Sequence, residues 1–334
     1  MDPVPATILV YVGLDVVGDG LMKLPFVRAL RGAFPDARIT WLAGKGTSVY
    51  AGSLAPLVAG LIDEVVENAG VGIRAAELVG RRPLAGRRFD LIIDTQRRVL
   101  TTLILRRIRH GRFLSAAAGY HLSDRRPKRR AKPPSLAGQM QALIDLAGGG
   151  GAQAASLPSD PAFDAMAAAL LPPGPCYVGL APGAGGVEKR WPLDRFLALA
   201  GDLAGRGLTP VVLLGPAEAE WEARVREAVP GARLPLQETS ETSPLLTIAL
   251  ARRLTAAVAN DSGTGHMLAA ADVPMVSLFG PTAWEKFAPA TSRLVVVKAA
   301  DWGGPAMDRI PGTAVAAALE GLLGDGGLTA SPPP

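Results

Sequence analysis

Asn260-Asp261-Ser262-Gly263-Thr264-Gly265-His266 sets a carboxylate, a hydroxyl and two glycines between the apolar strand Ala256-Ala257-Val258-Ala259 and the helical run Met267-Leu268-Ala269-Ala270-Ala271. At a strand-to-helix turn the unpaired N–H groups of the first helical turn and the helix dipole favour an anion, and glycine lets that anion reach the backbone. A diphosphate is a natural guest. The same residues also read as an Asp/Ser helix cap with turn glycines, and the segment alone does not separate the two. A second candidate is Ala181-Pro182-Gly183-Ala184-Gly185-Gly186-Val187-Glu188-Lys189-Arg190-Trp191-Pro192, again after a strand and before a helix. Lys189 and Arg190 could neutralise phosphate oxygens there. It is not a dinucleotide fingerprint, because Glu188 stands where the third glycine belongs, and no Walker A pattern is present. The third candidate is Gly18-Asp19-Gly20, after the first apolar strand and opening a helix with Pro25 expected in its first turn. Asp19 could serve as a general base, held ionised by the helix N-terminus, or simply as a cap.

Elements that alternate along the chain must position these groups. In the first half, strand-like runs at 7–12, 38–42, 64–66 and 89–94 alternate with helical patterns at 21–33, 49–57 and 98–109. In the second, strands at 176–180, 210–214, 256–259 and 274–279 alternate with helices at 193–204, 218–228 and 245–254. Such alternation predicts parallel sheets covered on both faces, with ligands at the carboxyl ends of the strands. The fold class expected is α/β, as two doubly wound Rossmann-like domains facing across a cleft. The boundaries expected are 1–150 for the first domain, 175–323 for the second, 151–174 as a linker after the Gly148-Gly149-Gly150-Gly151 run, and 324–334 as a disordered tail.

The 334 residues suffice for about two domains, and the 49% hydrophobic content is that of a folded protein. Apolar runs are strand-length rather than membrane-spanning, and the N-terminus lacks the pattern of a secretory signal, so a cytoplasmic location is expected. Cys176 is the lone cysteine, expected in core packing, and His110, His121 and His266 are too dispersed to suggest a metal site. The net charge of +5 hides an asymmetry: residues 81–132 carry 16 Lys/Arg and 3 Asp, most densely at Arg125-Arg126-Pro127-Lys128-Arg129-Arg130. This segment suits an anionic substrate or an acidic membrane surface, or is a solvated face. Nucleic acid is the weaker partner, because few aromatics are interleaved.

Taken together, three blocks resemble glycosyltransferase family 9, the ADP-heptose:lipopolysaccharide heptosyltransferases. They are Gly18-Asp19-Gly20-Leu21 with Pro25-x-x-Arg28-Ala29-Leu30 and Phe34-Pro35-Asp36-Ala37; Pro182-Gly183-Ala184 with Glu188-Lys189-Arg190-Trp191-Pro192; and Asn260-Asp261-Ser262-Gly263-x-x-His266 through Phe279-Gly280-Pro281-Thr282. The resemblance implies a GT-B fold, an acceptor-binding first domain, a donor-binding second domain and inverting, metal-independent transfer with no cofactor beyond the donor, ADP-heptose or another nucleotide sugar. It assigns Asp19 as the base, Lys189 as a phosphate contact and Asp261 as the acid holding the donor sugar. Ser262, Gly263, Thr264, Gly265 and His266 line the diphosphate, with Gly183, Arg190, Glu218 and Thr282 completing the donor side. The Asp94-Thr95-Gln96 segment borders the acceptor, placing Gln96, Arg97 and Arg98 there. It also implies an anionic lipopolysaccharide-type acceptor and peripheral contact with the cytoplasmic face of the inner membrane. Gly20 replaces a larger apolar residue common in the family, and Ala283 replaces a frequent Asp. A nucleotide-sugar epimerase of similar architecture would need further acid/base residues that the sequence does not supply; a nucleotide-sugar or polyanion-binding protein would bind the donor without turnover.

Overall fold

The computed structural model describes residues 3–14, 17–128 and 133–324. The chain folds as two compact units, Met1–Pro158 and Ser159–Pro334.

The first unit contains β1 (Thr7–Val12), α1 (Val17–Ala33), β2 (Arg38–Ala43), β3 (Glu64–Val66), β4 (Arg88–Asp94), α2 (Val99–Leu105), β5 (Arg109–Ser115) and α3 (Leu136–Ala147). Its strands are parallel in the order β3-β2-β1-β4-β5. Central β1, Thr-Ile-Leu-Val-Tyr-Val, is rich in β-branched residues and buried from Ile8 to Val12, as a strand covered on both faces must be. Each fully buried Ile or Leu of this kind contributes about 1.5–3 kcal/mol relative to exposure.

The second unit contains α4 (Pro161–Leu170), β6 (Tyr177–Ala181), α5 (Leu193–Gly205), β7 (Thr209–Val212), α6 (Glu222–Ala228), α7 (Pro244–Ala251), β8 (Ala256–Asn260), α8 (Gly263–Ala270), β9 (Met275–Phe279), α9 (Trp284–Phe287), β10 (Leu294–Lys298) and α10 (Gly312–Gly324). Its parallel order is β10-β9-β8-β6-β7. Strand alternation divides its core: Val178, Leu180, Val258, Val276 and Leu278 pack against α5 and α10, whereas Tyr177, Ala181, Val211, Ala257 and Met275 pack against α4 and α7.

Several sequence expectations need correction. The stretch 151–174 is not wholly a connection: α4 lies within it, and Ala167 and Leu171 are buried against α7 in the second unit. Its Ala- and Pro-rich composition conceals a helix capped by Asp160, whose side chain accepts the Ala162 N–H at 2.9 Å. Helix α1 starts at Val17, so Pro25 lies inside it rather than in its first turn. The helix expected over 49–57 is a turn followed by a 3-10 helix at Ala55–Val58, consistent with Gly52 and Pro56 as local breakers. Helix α2 stops at Leu105, and the following strand β5 was hidden by its arginines. The helix expected over 218–228 is a 3-10 helix at Pro216–Trp221 followed by α6. Cys176 is half-buried just ahead of β6, with Sγ 3.3 Å from Thr255 Oγ1, rather than in the core. The expected tail beyond Gly324, and Arg129, Arg130 and Lys132 of the basic segment, lie outside the described residues.

Candidate active site

In the second unit the chain runs from β6 toward one edge of the sheet and from β8 toward the other, although β6 and β8 are neighbours. This reversal opens a crevice at the carboxyl ends of the two strands. Both phosphate-loop candidates begin there, Pro182 directly after β6 and Asp261 directly after β8.

Asn260 staples the two loops. Fully buried, it accepts the Trp191 N–H on Oδ1 at 3.1 Å and donates through Nδ2 to the Pro182 carbonyl at 2.7 Å. Trp191 is itself buried, its Nε1–H donating to the Ile310 carbonyl at 2.9 Å and its ring standing edge-on to Phe196. With the loops fixed, Lys189 Nζ comes within 2.9 Å of Asp261 Oδ2, and Thr282 Oγ1 donates to the same oxygen at 2.7 Å. The Asp261 carboxylate is 9% exposed and the Lys189 side chain 30%. Both contacts fall on Oδ2.

Helix α8 shows the structural half of the turn before it. Ser262 is a cap, its hydroxyl accepting the Gly265 N–H at 3.2 Å. The cap uses one first-turn donor, while helix geometry gives the N–H groups of Gly263 and Thr264 no intrahelical partner. A Cβ placed on Gly263 would meet nothing within 4 Å, and Gly263 and Thr264 are both half-buried. Capping and anion binding are therefore compatible here. His266 is buried in the same turn; desolvation pushes its pKa down to about 4, against the opposing pull of Asp261 and with a smaller push from Lys189. Its imidazole is thus neutral at physiological pH and can offer a hydrogen bond but no charge.

Arg190 is placed differently from Lys189. Its Nε and an Nη donate to the Ala184 carbonyl at 3.2 and 3.1 Å, its guanidinium lies 3.5 Å from Glu218 Oε1, and it stacks over Trp221 at 5.3 Å. Glu218 is buried beneath Gly183, where an added Cβ would approach its carboxylate to 2.7 Å. Gly183, Arg190 and Glu218 thus form a group that shapes the first loop, beside the Lys189–Asp261–Thr282 cluster.

In the first unit the chain reverses between β1 and β4. Asp19 lies in the first turn of α1, which follows β1, and Gln96 stands two residues past the end of β4. The Gln96 side chain packs so closely on Gly13 that a Cβ there would stand 3.2 Å from its Oε1. Arg97 donates to Gln139 Oε1 at 2.9 Å, and Arg98, exposed, occupies the N-cap position of α2. Gly20 also finds its reason: a Cβ would approach Val49 Cγ2 to 2.6 Å and Leu54 Cδ1 to 3.0 Å, so side chains from the 49–54 turn fill the space of a larger residue. The Asp94-Thr95-Gln96 segment was expected here, but sequence reasoning did not single out Asp94 as its buried anchor. Asp94 is buried, accepting from Thr102 Oγ1 at 2.6 Å, Ser115 Oγ at 2.9 Å and the Gln96 N–H at 2.9 Å. Burial raises its pKa to about 6 against the lowering effect of these hydrogen bonds. Among the described residues no group of three His, Cys, Asp or Glu side chains is placed to hold a metal ion, and no helix is long and apolar enough to cross a membrane.

Two doubly wound parallel sheets, each with a crevice at its switch point, constitute a GT-B-like architecture of two Rossmann-type domains. Residues 80–310 match glycosyltransferase family 9 (heptosyltransferase), and the chain belongs to that family. It is 32% identical over 125 residues to lipooligosaccharide heptosyltransferase 2 of Haemophilus influenzae, a match covering 36% of each chain. The chain spans about a third of the length of the curated relatives it matches. In fold it is similar to a family 9 glycosyl transferase of Veillonella parvula, with TM-score 0.72, 20% identity and coverage of 96% of this chain and 98% of the other. It is also similar to the ADP-heptose lps heptosyltransferase II of E. coli, with TM-score 0.66, 22% identity and coverage of 96% and 99%.

Proposed function

We propose that this chain is an inverting, metal-independent glycosyltransferase that moves a heptose or related sugar from ADP-heptose to a hydroxyl of a lipopolysaccharide core acceptor. The observation that carries the reading is the Lys189–Asp261–Thr282 cluster beside the first turn of α8. A sugar diphosphate needs what this cluster offers: a cation and backbone donors for the phosphates, and an acid for the sugar hydroxyls. The names of the relatives agree in donor and acceptor class.

In this reading the first unit supplies the acceptor hydroxyl and its base, and the second the activated sugar. Asp19 takes the hydroxyl proton as the oxygen attacks the anomeric carbon. The new C–O bond forms as the bond to the diphosphate breaks, and a single in-line displacement inverts the anomeric centre. ADP departs with the negative charge, which Lys189, the N–H groups of Gly263 and Thr264 and the neutral His266 ring stabilise. Asp261 orients the sugar through Oδ1 while its Oδ2 holds Lys189 in place. Gln96, Arg97 and Arg98 border the acceptor, and the anionic inner core brings the protein to the cytoplasmic face of the inner membrane as a peripheral protein.

The test is incubation of the purified protein with a panel of nucleotide sugars and truncated lipopolysaccharide, with products followed by mass spectrometry. Mass addition of one heptose with release of ADP is expected. Absence of transfer from every donor to every acceptor would sink the reading.

A further inference from the structure

The first unit carries a cavity of about 580 Å³ beside the amino ends of β1 and β4, walled by the segment before β1, the start of β4, the edge strand β5 and residues 124–125. Ligands of a doubly wound sheet are expected at the opposite, carboxyl ends, where Asp94 and Gln96 stand. Arg88 opens β4 and Asp94 closes it, roughly 20 Å apart along the strand. The cavity is therefore separate from the edge assigned to the acceptor.

Two acids in the wall fix its frame. Asp90 Oδ2 accepts the N–H groups of Ala6 and Thr7 and the Thr7 hydroxyl, each at 3.0 Å, and the Asp90 N–H donates to Thr7 Oγ1 at 2.9 Å. These bonds tie the chain after Pro3-Val4-Pro5 to β4. Asp124 accepts the Phe113 N–H on Oδ2 at 2.7 Å and Arg106 on Oδ1 at 3.0 Å, and its own N–H reaches the Phe113 carbonyl at 2.9 Å. Residues 124–125 are thereby held along β5. Gly111 lines the cavity where a Cβ would stand 2.9 Å from the Asp90 carbonyl oxygen, so the close approach of β5 to β4 calls for glycine.

The remaining charged groups of the wall are Arg88, Arg112 and Arg125. Arg88 stands in register with Arg109 of β5, so two like charges lie side by side at this end of the sheet, an arrangement that an anion relieves. Arg112 is half-buried; burial pushes its pKa down while Asp124 pulls it up. A phosphate beside a partly dried cation is held more strongly than one in open water. Arg125 is anchored on the Leu146 carbonyl at 3.3 Å. A guanidinium has five donors, so an arginine engaged by the frame can still hold a phosphate oxygen. The wall before β1 is apolar, with Val4 78% exposed. Sites for small organic molecules run to roughly 300–1,000 Å³, so the volume suits an organic anion and far exceeds what an inorganic one fills.

We propose that this cavity binds a small organic phosphate, its phosphate held by Arg88, Arg112 and Arg125 and its apolar body laid on Pro3-Val4-Pro5. The site does not depend on the transfer reaction proposed above.

The experiment is titration calorimetry of the full chain with phenyl phosphate, inorganic phosphate and benzyl alcohol, for the wild type, R88E, V4D and K189A. Arg88 and Val4 are exposed, so both substitutions leave the fold intact. The wild type is expected to bind phenyl phosphate about tenfold or more tightly than inorganic phosphate, because the ring adds apolar burial, and to show no heat with benzyl alcohol at the same concentrations. R88E is expected to lower phenyl phosphate affinity at least about tenfold by removing a charge-assisted contact. V4D should lower it about tenfold as well, through loss of the apolar wall and repulsion of the ligand. K189A, altered at the donor cluster of the second unit, should bind phenyl phosphate as the wild type does. Absence of phenyl phosphate binding, or an affinity unchanged in R88E, would overturn the proposal. Loss of binding in K189A would do so too, by assigning the phosphate to the donor loops, and equal affinity for phenyl and inorganic phosphate would reduce the site to a place for adventitious anions. Failure of sugar transfer from every donor would count against the proposed function and leave these outcomes untouched.

Discussion

The Lys189–Asp261 pair predicts a coupling that can be measured with four proteins: wild type, K189A, D261N and the double variant. The Nζ–Oδ2 separation is 2.9 Å, with the carboxylate 9% and the lysine side chain 30% exposed. At an effective dielectric of about 20 the bare Coulomb attraction at such a distance is about 6 kcal/mol, an upper figure before desolvation. Partial exposure of the lysine and the cost of drying the carboxylate reduce this to roughly 1–2 kcal/mol of net coupling. Urea unfolding of the four proteins should therefore give a double variant about 1–2 kcal/mol less destabilised than the two single losses added together. Titration calorimetry with ADP completes the cycle. K189A should weaken ADP binding, because the cation is lost. D261N should weaken it less, because the asparagine retains an oxygen for Lys189 and the sugar contact is absent from ADP. Turnover should fall about 10²-fold or more for K189A through lost stabilisation of the departing diphosphate. Additive stabilities, within about 0.3 kcal/mol, would refute the argument that the two residues act as one unit.

Other outcomes follow from individual groups. Asp19→Ala is expected to reduce transfer by at least about 10²-fold while leaving donor affinity near wild type, read by ADP release and calorimetry; normal turnover would remove Asp19 as the base. Asn260→Ala strips partners from the Trp191 N–H and the Pro182 carbonyl, and should cost roughly 2–4 kcal/mol in urea unfolding. His266 and Asp94 give opposite pH slopes. The folded-state pKa of His266 is depressed from 6.5 to about 4, so its contribution is present above about pH 6.5 and is lost as pH falls toward 4. Asp94 is raised from 3.8 to about 6, so folding is favoured by its protonation and the benefit is lost as pH rises through that interval. Each slope amounts to an order of 3 kcal/mol across its window. Stability measured from pH 4 to 7 should rise more steeply with pH in Asp94→Asn than in wild type, and less steeply in His266→Phe; unchanged profiles would contradict both burial arguments.

Much of the sheet framework was legible because parallel strands buried on both faces must be continuous apolar runs, and those at 7–12 and 256–259 could not be otherwise. β5 was not legible, since Arg109 and Arg112 interrupt its apolar pattern in the strand at the edge of its sheet. Nor was α4, whose alanines carry little periodicity until α7 is placed against them. The candidate residues were legible as three motifs, because glycine, aspartate and lysine at a strand-to-helix turn have a limited set of uses.

The sequence alone determined that Asp261, Lys189 and Asp19 stand at strand-to-helix turns, because local patterning decides where strands end. Only tertiary structure decided their partners. Lys189 and Asp261 are separated by 72 residues and meet because β6 and β8 are neighbours and Asn260 pins both following loops. Arg190, adjacent to Lys189, is turned instead toward Ala184 and Glu218, a distinction that composition does not contain. The ionisation of His266 and Asp94 likewise depends on burial, which is a property of packing rather than of residue type.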